Sequence, residues 1–158
     1  MFVNVPPAMV HEPSGLRVWL TEPPGLVTQI TREPHVTLDV ARFLSGPVTE
    51  ALMALPRAPG QRFVFLHEWT RFRSYEPEAR DELTQWAMNL KDQLGLMLFV
   101  ISKEASSMVR MGIKVGTMTL KLAGIDSELV DSIDPSDRGK AFGLHRAGDT
   151  IGAVVGPL

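Results

Sequence analysis

The residues best suited to chemistry lie in one short run, His67-Glu68-Trp69-Thr70-Arg71-Phe72-Arg73-Ser74-Tyr75-Glu76. His67 beside Glu68 has the residue types of an acid–base pair; His11-Glu12 repeats the dipeptide by chance. Arginines interleaved with aromatics suit an anionic ligand or a protein surface, because the guanidinium presents a planar fork of donors beside rigid apolar area. No nucleophile–base–orienter set can be named around them, and Walker-type loops, HExxH and Gly-x-Ser-x-Gly are missing from the chain. The four histidines (His11, His35, His67, His145) lack ligand spacing. The expectation is a binding surface, with no catalytic residue, no metal and no cofactor.

That run must be positioned by regular elements, and the surrounding pattern supplies them. Short β-prone runs at residues 62–67, 96–102 and 128–133 alternate with helical patterns at 77–94 and 106–123. Such alternation implies βαβ crossovers, hence an α/β fold with a mixed, largely parallel sheet of about four to five strands and helices packed on it. Upstream, residues 16–21 and 26–30 flank Glu22-Pro23-Pro24-Gly25 and read as a hairpin. Residues 36–44 are ambiguous between strand and helix. A short helix is expected from Pro47 to Leu55, with proline in its first turn and Pro56 closing it. The reactive run falls at the carboxyl end of a strand, where open α/β sheets bind ligands.

In the first long helix Ala79, Leu83, Trp86, Leu90 and Leu94 make one apolar stripe. Pro77 suits its first turn, Ser74 or Glu76 its N-cap, and Gly95 its C-cap. The second is apolar on two faces. Met108, Met111, Val115, Met118 and Leu122 form one stripe, and Val109, Ile113, Gly116, Leu120 and Ala123 another. Two apolar faces call for two packing partners, the sheet and either a neighbouring segment or another protein. Gly112 and Gly116 add places where another backbone can approach closely.

Composition bounds the possibilities. The chain has 158 residues, 44% hydrophobic and 22% charged, which fits one globular domain with its own core. A net charge of −2 gives no basic face for nucleic acid. There is no cysteine, so disulfides and thiolate chemistry are excluded. No apolar run reaches the roughly 20 residues of a membrane span, and the N-terminus lacks a signal-peptide pattern. A cytoplasmic location is expected. The chain divides into a Pro-rich arm (1–14), a patterned domain (15–133) and a Gly-rich tail (134–158).

The order hairpin, helix, strand, helix, strand, helix, strand over residues 16–133 resembles a STAS domain, the fold of bacterial anti-sigma-factor antagonists. The resemblance implies a regulatory protein–protein interaction module. In that family a loop bearing Asp-Ser-Ser-Gly leads to a serine phosphorylated at the start of a helix. Here the position falls near Tyr75 or Glu76, the motif is absent, and Ser74 is the only nearby candidate phosphosite. Glu76 puts a permanent negative charge where the family places a switchable one. Residues 138–158 separately resemble a short segment of major facilitator transporters, too short here to span; a helix docked on the domain is the expectation for them.

The expected function is therefore non-catalytic binding. Trp69, Arg71, Arg73, Ser74, Tyr75 and Glu76 form the expected recognition surface, with Met108 and Met111 as a second contact. The partner is a protein, a second copy of the chain included. The alternative is a carrier or sensor of a small apolar or anionic ligand.

Overall fold

The computed structural model describes residues 5–132 apart from Pro23. The expected tail, 134–158, lies outside them. Among the described residues a six-stranded sheet runs in the order β1 (Met9–His11), β2 (Leu16–Thr21), β3 (Gly25–Ile30), β5 (Phe63–Glu68), β7 (Leu94–Ile101), β8 (Ser127–Asp131). The first three strands are antiparallel, and β3, β5, β7 and β8 are parallel. The α/β expectation holds, with one strand more than expected. The extra strand comes from the Pro-rich arm, whose residues 9–11 add an edge to the hairpin, while Val5 accepts a hydrogen bond from Trp19 Nε1 at 2.9 Å.

A small parallel ladder of β4 (His35–Val36) and β6 (Ser74–Tyr75) sits apart from the main sheet. No helix among the described residues is long and apolar enough to cross a membrane.

Alternation of side chains along each strand separates two faces. Val18, Leu26, Thr28, Phe65, His67, Met97 and Phe99 share the helix-covered face, as the register Thr28–His67–Phe99 requires. The helices are α1 (Leu38–Phe43), α2 (Thr49–Met53), α3 (Pro77–Asn89) and α4 (Ser107–Leu122). Their inward residues join those strand residues in one core.

Pro47 does not open a helix. The helical path starts at Leu38, and Leu44–Val48 form a π-helical turn containing Pro47. The wider turn takes a residue without an N–H, and Thr49 Oγ1 donates to the Leu44 carbonyl at 2.7 Å. Residues 36–44 thus resolve as strand at Val36 and helix from Leu38. The start is fixed by two caps: Thr37 Oγ1 accepts from Val40 N, and Glu76 Oε2 accepts from Leu38 N at 2.7 Å.

α3 stops at Asn89 rather than continuing to residue 94. A turn follows, and Leu94 and Gly95 are already β7, with Leu94 opposite Phe63. Gly95 is accordingly not a helix cap. α4 matches its expected span closely. Ser106 Oγ accepts from Val109 N, and Gly124 adopts a φ of 87° just past the end. The Ile125 N–H bonds to the Leu120 carbonyl and the Gly124 N–H to that of Lys121, closing a Schellman motif.

Candidate functional site

The strand β5 carries Phe63, Phe65 and His67 on one face, and Trp69 follows at the same spacing. They meet Trp86 from α3 and Phe99 from β7. Phe65 stacks on Trp86 at 5.4 Å, His67 stacks on Phe99 at 5.0 Å, and Trp69 lies 5.1 Å from His67. Phe72 lies 5.3 Å from Trp69, and Tyr75 stacks on Phe72 at 5.8 Å. His67, Trp69, Phe72, Tyr75, Trp86 and Phe99 of this layer floor a cavity of about 780 Å³ between α3 and α4. Leu83 and Ala87 line one wall, and Ile113, Gly116 and Leu120 line the other.

His67 is the polar exception in that floor. Its side chain is buried, at 1% exposure. Nδ1 lies 2.8 Å from Thr28 Oγ1, which also accepts from Trp69 Nε1 at 3.2 Å. Burial lowers its pKa to about 3, because a charge there would lose its water. The ring is neutral at any ordinary pH.

The structure separates the expected site residues into two groups. Trp69, Tyr75, Met108 and Met111 gather round the cavity. Trp69 is buried and is a floor residue, so the expectation that it contacts a partner from the loop surface is corrected. Arg71, Arg73, Ser74 and Glu76 are engaged elsewhere. Arg71 donates to the Thr31 carbonyl, and Arg73 to the carbonyls of Thr70 and Phe72. Ser74 Oγ lies 2.7 Å from His35 Nδ1, inside the small ladder. It is not the N-cap of α3; Glu76 holds that position, makes no cap there, and instead caps α1.

Glu76 therefore serves as a clamp between two helices. Replacing it with alanine is expected to lower stability by about 1 kcal/mol, the loss of a charged cap at a helix start. Urea unfolding of Glu76→Ala beside Ser74→Ala checks this, the serine change being expected within about 0.5 kcal/mol of wild type. A Glu76→Ala loss also within about 0.5 kcal/mol would show that the carboxylate contributes nothing as a cap.

The supposed His67–Glu68 pair is also corrected. Neighbours in a strand point to opposite faces, and Glu68 instead accepts from Thr70 Oγ1. No cluster of three or more potential metal ligands occurs among the described residues.

α4 presents the other notable surface. Its inward face (Val109, Ile113, Thr117, Leu120) is buried, whereas Met108, Met111, Val115, Met118 and Leu122 are 60–83% exposed. The exposed set advances by three, four, three and four residues, the spacing of a coiled-coil seam. Lys114 and Lys121 border one side of it, and neither forms an ion pair among the described residues. Gly112 accommodates Tyr75 rather than a second backbone: a Cβ there would lie 3.1 Å from the Tyr75 hydroxyl. Gly116 faces open space.

Sequence reasoning missed His67 as a cavity residue and Trp86 and Phe99 as its neighbours. The signal available was the alternation Phe63, Phe65, His67, Trp69. No family model, curated protein or solved structure matches the chain.

Proposed function

We propose that this chain is a cytoplasmic, non-catalytic regulatory interaction module, STAS-like in the order of its elements, that binds an amphipathic helix of a partner protein along α4. One observation carries the reading: five large apolar side chains at seam spacing stand exposed along the whole of α4. A helix of 16 residues is about 24 Å long, and exposed apolar patches of such extent are uncommon on surfaces that contact nothing. Methionine suits the task, since its unbranched side chain repacks against different partners.

The border charges support one kind of partner. Lys114 and Lys121 occupy flanking positions of the seam, where opposite charge on the facing helix is favoured. A second copy in antiparallel register would bring lysines together. A helix with carboxylates beside its apolar seam is the better match. In this reading Arg71, Arg73, Ser74 and Glu76 have a structural part, and a phosphate on Ser74 would compete with its bond to His35.

The test is fluorescence anisotropy with a labelled 22-residue amphipathic peptide bearing leucines at seam positions and glutamates beside them. Met111→Glu/Met118→Glu is expected to weaken binding at least about tenfold, the loss of two central apolar anchors. Lys114→Glu/Lys121→Glu should weaken it about fivefold and shift preference to a lysine-flanked peptide. Indifference to both double changes would overturn the reading. So would a dimer in sedimentation velocity that the methionine changes dissolve, which would assign the seam to a second copy.

A further inference from the structure

We infer that the cavity behind α4 is a binding site for a flat, uncharged, mainly apolar molecule that carries a carbonyl-type oxygen. This goes beyond the helix-binding reading: Met108, Met111 and Val115 of the seam also line the cavity, but its aromatic floor takes no part in that surface. The cavity volume of about 780 Å³ lies within the range of small-molecule sites and far exceeds one inserted side chain. Its aromatic floor, with His67 stacked on Phe99, offers broad faces to a planar ring system.

The polar requirement comes from His67. Nδ1 is taken by Thr28, while Nε2 has no hydrogen-bond partner among the described residues. Among the described residues no buried side-chain nitrogen or oxygen lacks a partner, so Nε2 must reach the free surface of the cavity that His67 lines.

The hydrogen-bond chain also assigns the tautomer. Trp69 Nε1 can only donate, so Thr28 Oγ1 accepts from it. The Thr28 hydroxyl hydrogen then has one acceptor within reach, His67 Nδ1. The ring proton is therefore on Nε2, where it is offered to the cavity. A ligand carbonyl oxygen that accepts from this N–H gains the net value of one hydrogen bond over water, about 1 kcal/mol.

Charge is disfavoured in the ligand. The imidazole is neutral, and the rim cation Arg80 is paired with Asp81 at 2.9 Å. The matching chemistry is an aromatic ketone or quinone.

The probes are menadione and 2-methylnaphthalene, the same fused ring with and without carbonyl oxygens, titrated into isotope-labelled full-length protein by NMR. The chain has no cysteine for the quinone to alkylate, so binding is read cleanly. Wild type is expected to bind menadione at least about fivefold more tightly than the hydrocarbon, one net hydrogen bond. That preference should fall to within about twofold in His67→Phe, by the same loss.

Gly116 lines the cavity with nothing within 4 Å of its missing side chain, so Gly116→Phe fills the space on a helix that gains propensity. It should weaken both probes at least about tenfold, since the added ring occupies their volume. In wild type the imidazole ¹⁵N spectrum should show a protonated Nε2 that menadione shifts and 2-methylnaphthalene does not. Should His67→Phe not fold, that spectrum decides alone. No binding of either probe, equal affinities in wild type, undiminished binding to Gly116→Phe, or a proton on Nδ1 would each overturn the site.

Discussion

Trp86→Ala is expected to cost about 4 kcal/mol of folding stability, among the largest losses a single change in this core can produce. The indole is 5% exposed, stacked on Phe65 and edge-on to His67. Truncation removes that apolar area and enlarges a cavity that the floor already borders, so neighbours have little to collapse onto. It also breaks a chain of hydrogen bonds. Trp86 Nε1 donates to Thr49 Oγ1 at 2.7 Å, and Thr49 donates on to the Leu44 carbonyl of the π-helical turn. α3 is thus tied to the turn through a partly buried hydroxyl. Trp86→Phe keeps most of the stacking and loses only the donor, so its cost is expected near 1.5 kcal/mol. Urea unfolding of both variants checks the pair. A loss below about 2 kcal/mol for alanine would mean that the indole is not packed as described.

Local signals recover much of this fold because they are dictated by neighbours in sequence. The hairpin is written in two β-prone runs around Pro-Pro-Gly, and α4 in its doubled apolar stripes and in Ser106 and Gly124 at its ends. The exposed half of α4 was legible for the same reason: five residues at helical spacing cannot all face a sheet that already receives Val109, Ile113 and Leu120. What escaped depends on residues distant in the chain. α1 begins at Leu38 because a carboxylate 38 residues away caps it. Ser74 and Tyr75 are extended because His35 and Val36 pair with them. Arg71 and Arg73 look like ligand-binding groups in a bare sequence, yet Nη1 of each bonds nearby carbonyls, two of them in their own loop. The cavity is a tertiary object throughout. Its floor comes from β5, β7 and α3, and no segment alone predicts the space between them.

Between pH 7.5 and 4.5 wild type should lose about 2.7 kcal/mol more stability than His67→Phe. The sign follows from which state binds the proton. In the unfolded chain His67 has its ordinary pKa near 6.5, and in the fold burial holds it at about 3. As pH falls below 6.5 the unfolded state takes up a proton that the native state refuses, so the equilibrium shifts toward unfolding. The slope approaches about 1.4 kcal/mol per pH unit until the folded pKa is reached, which gives the stated loss over the two units from 6.5 to 4.5. Desolvation alone lowers this pKa; no charged neighbour contributes. The difference should therefore survive 0.5 M salt, which screens surface carboxylate pairs. Phenylalanine cannot titrate, so the other acid-sensitive groups cancel in the comparison between the two proteins. Urea midpoints measured at half-unit intervals of pH would show the two stability curves diverging below pH 6.5. Parallel curves would mean that His67 reaches water in the folded protein, and the neutral donor inferred at the cavity floor would be lost with it.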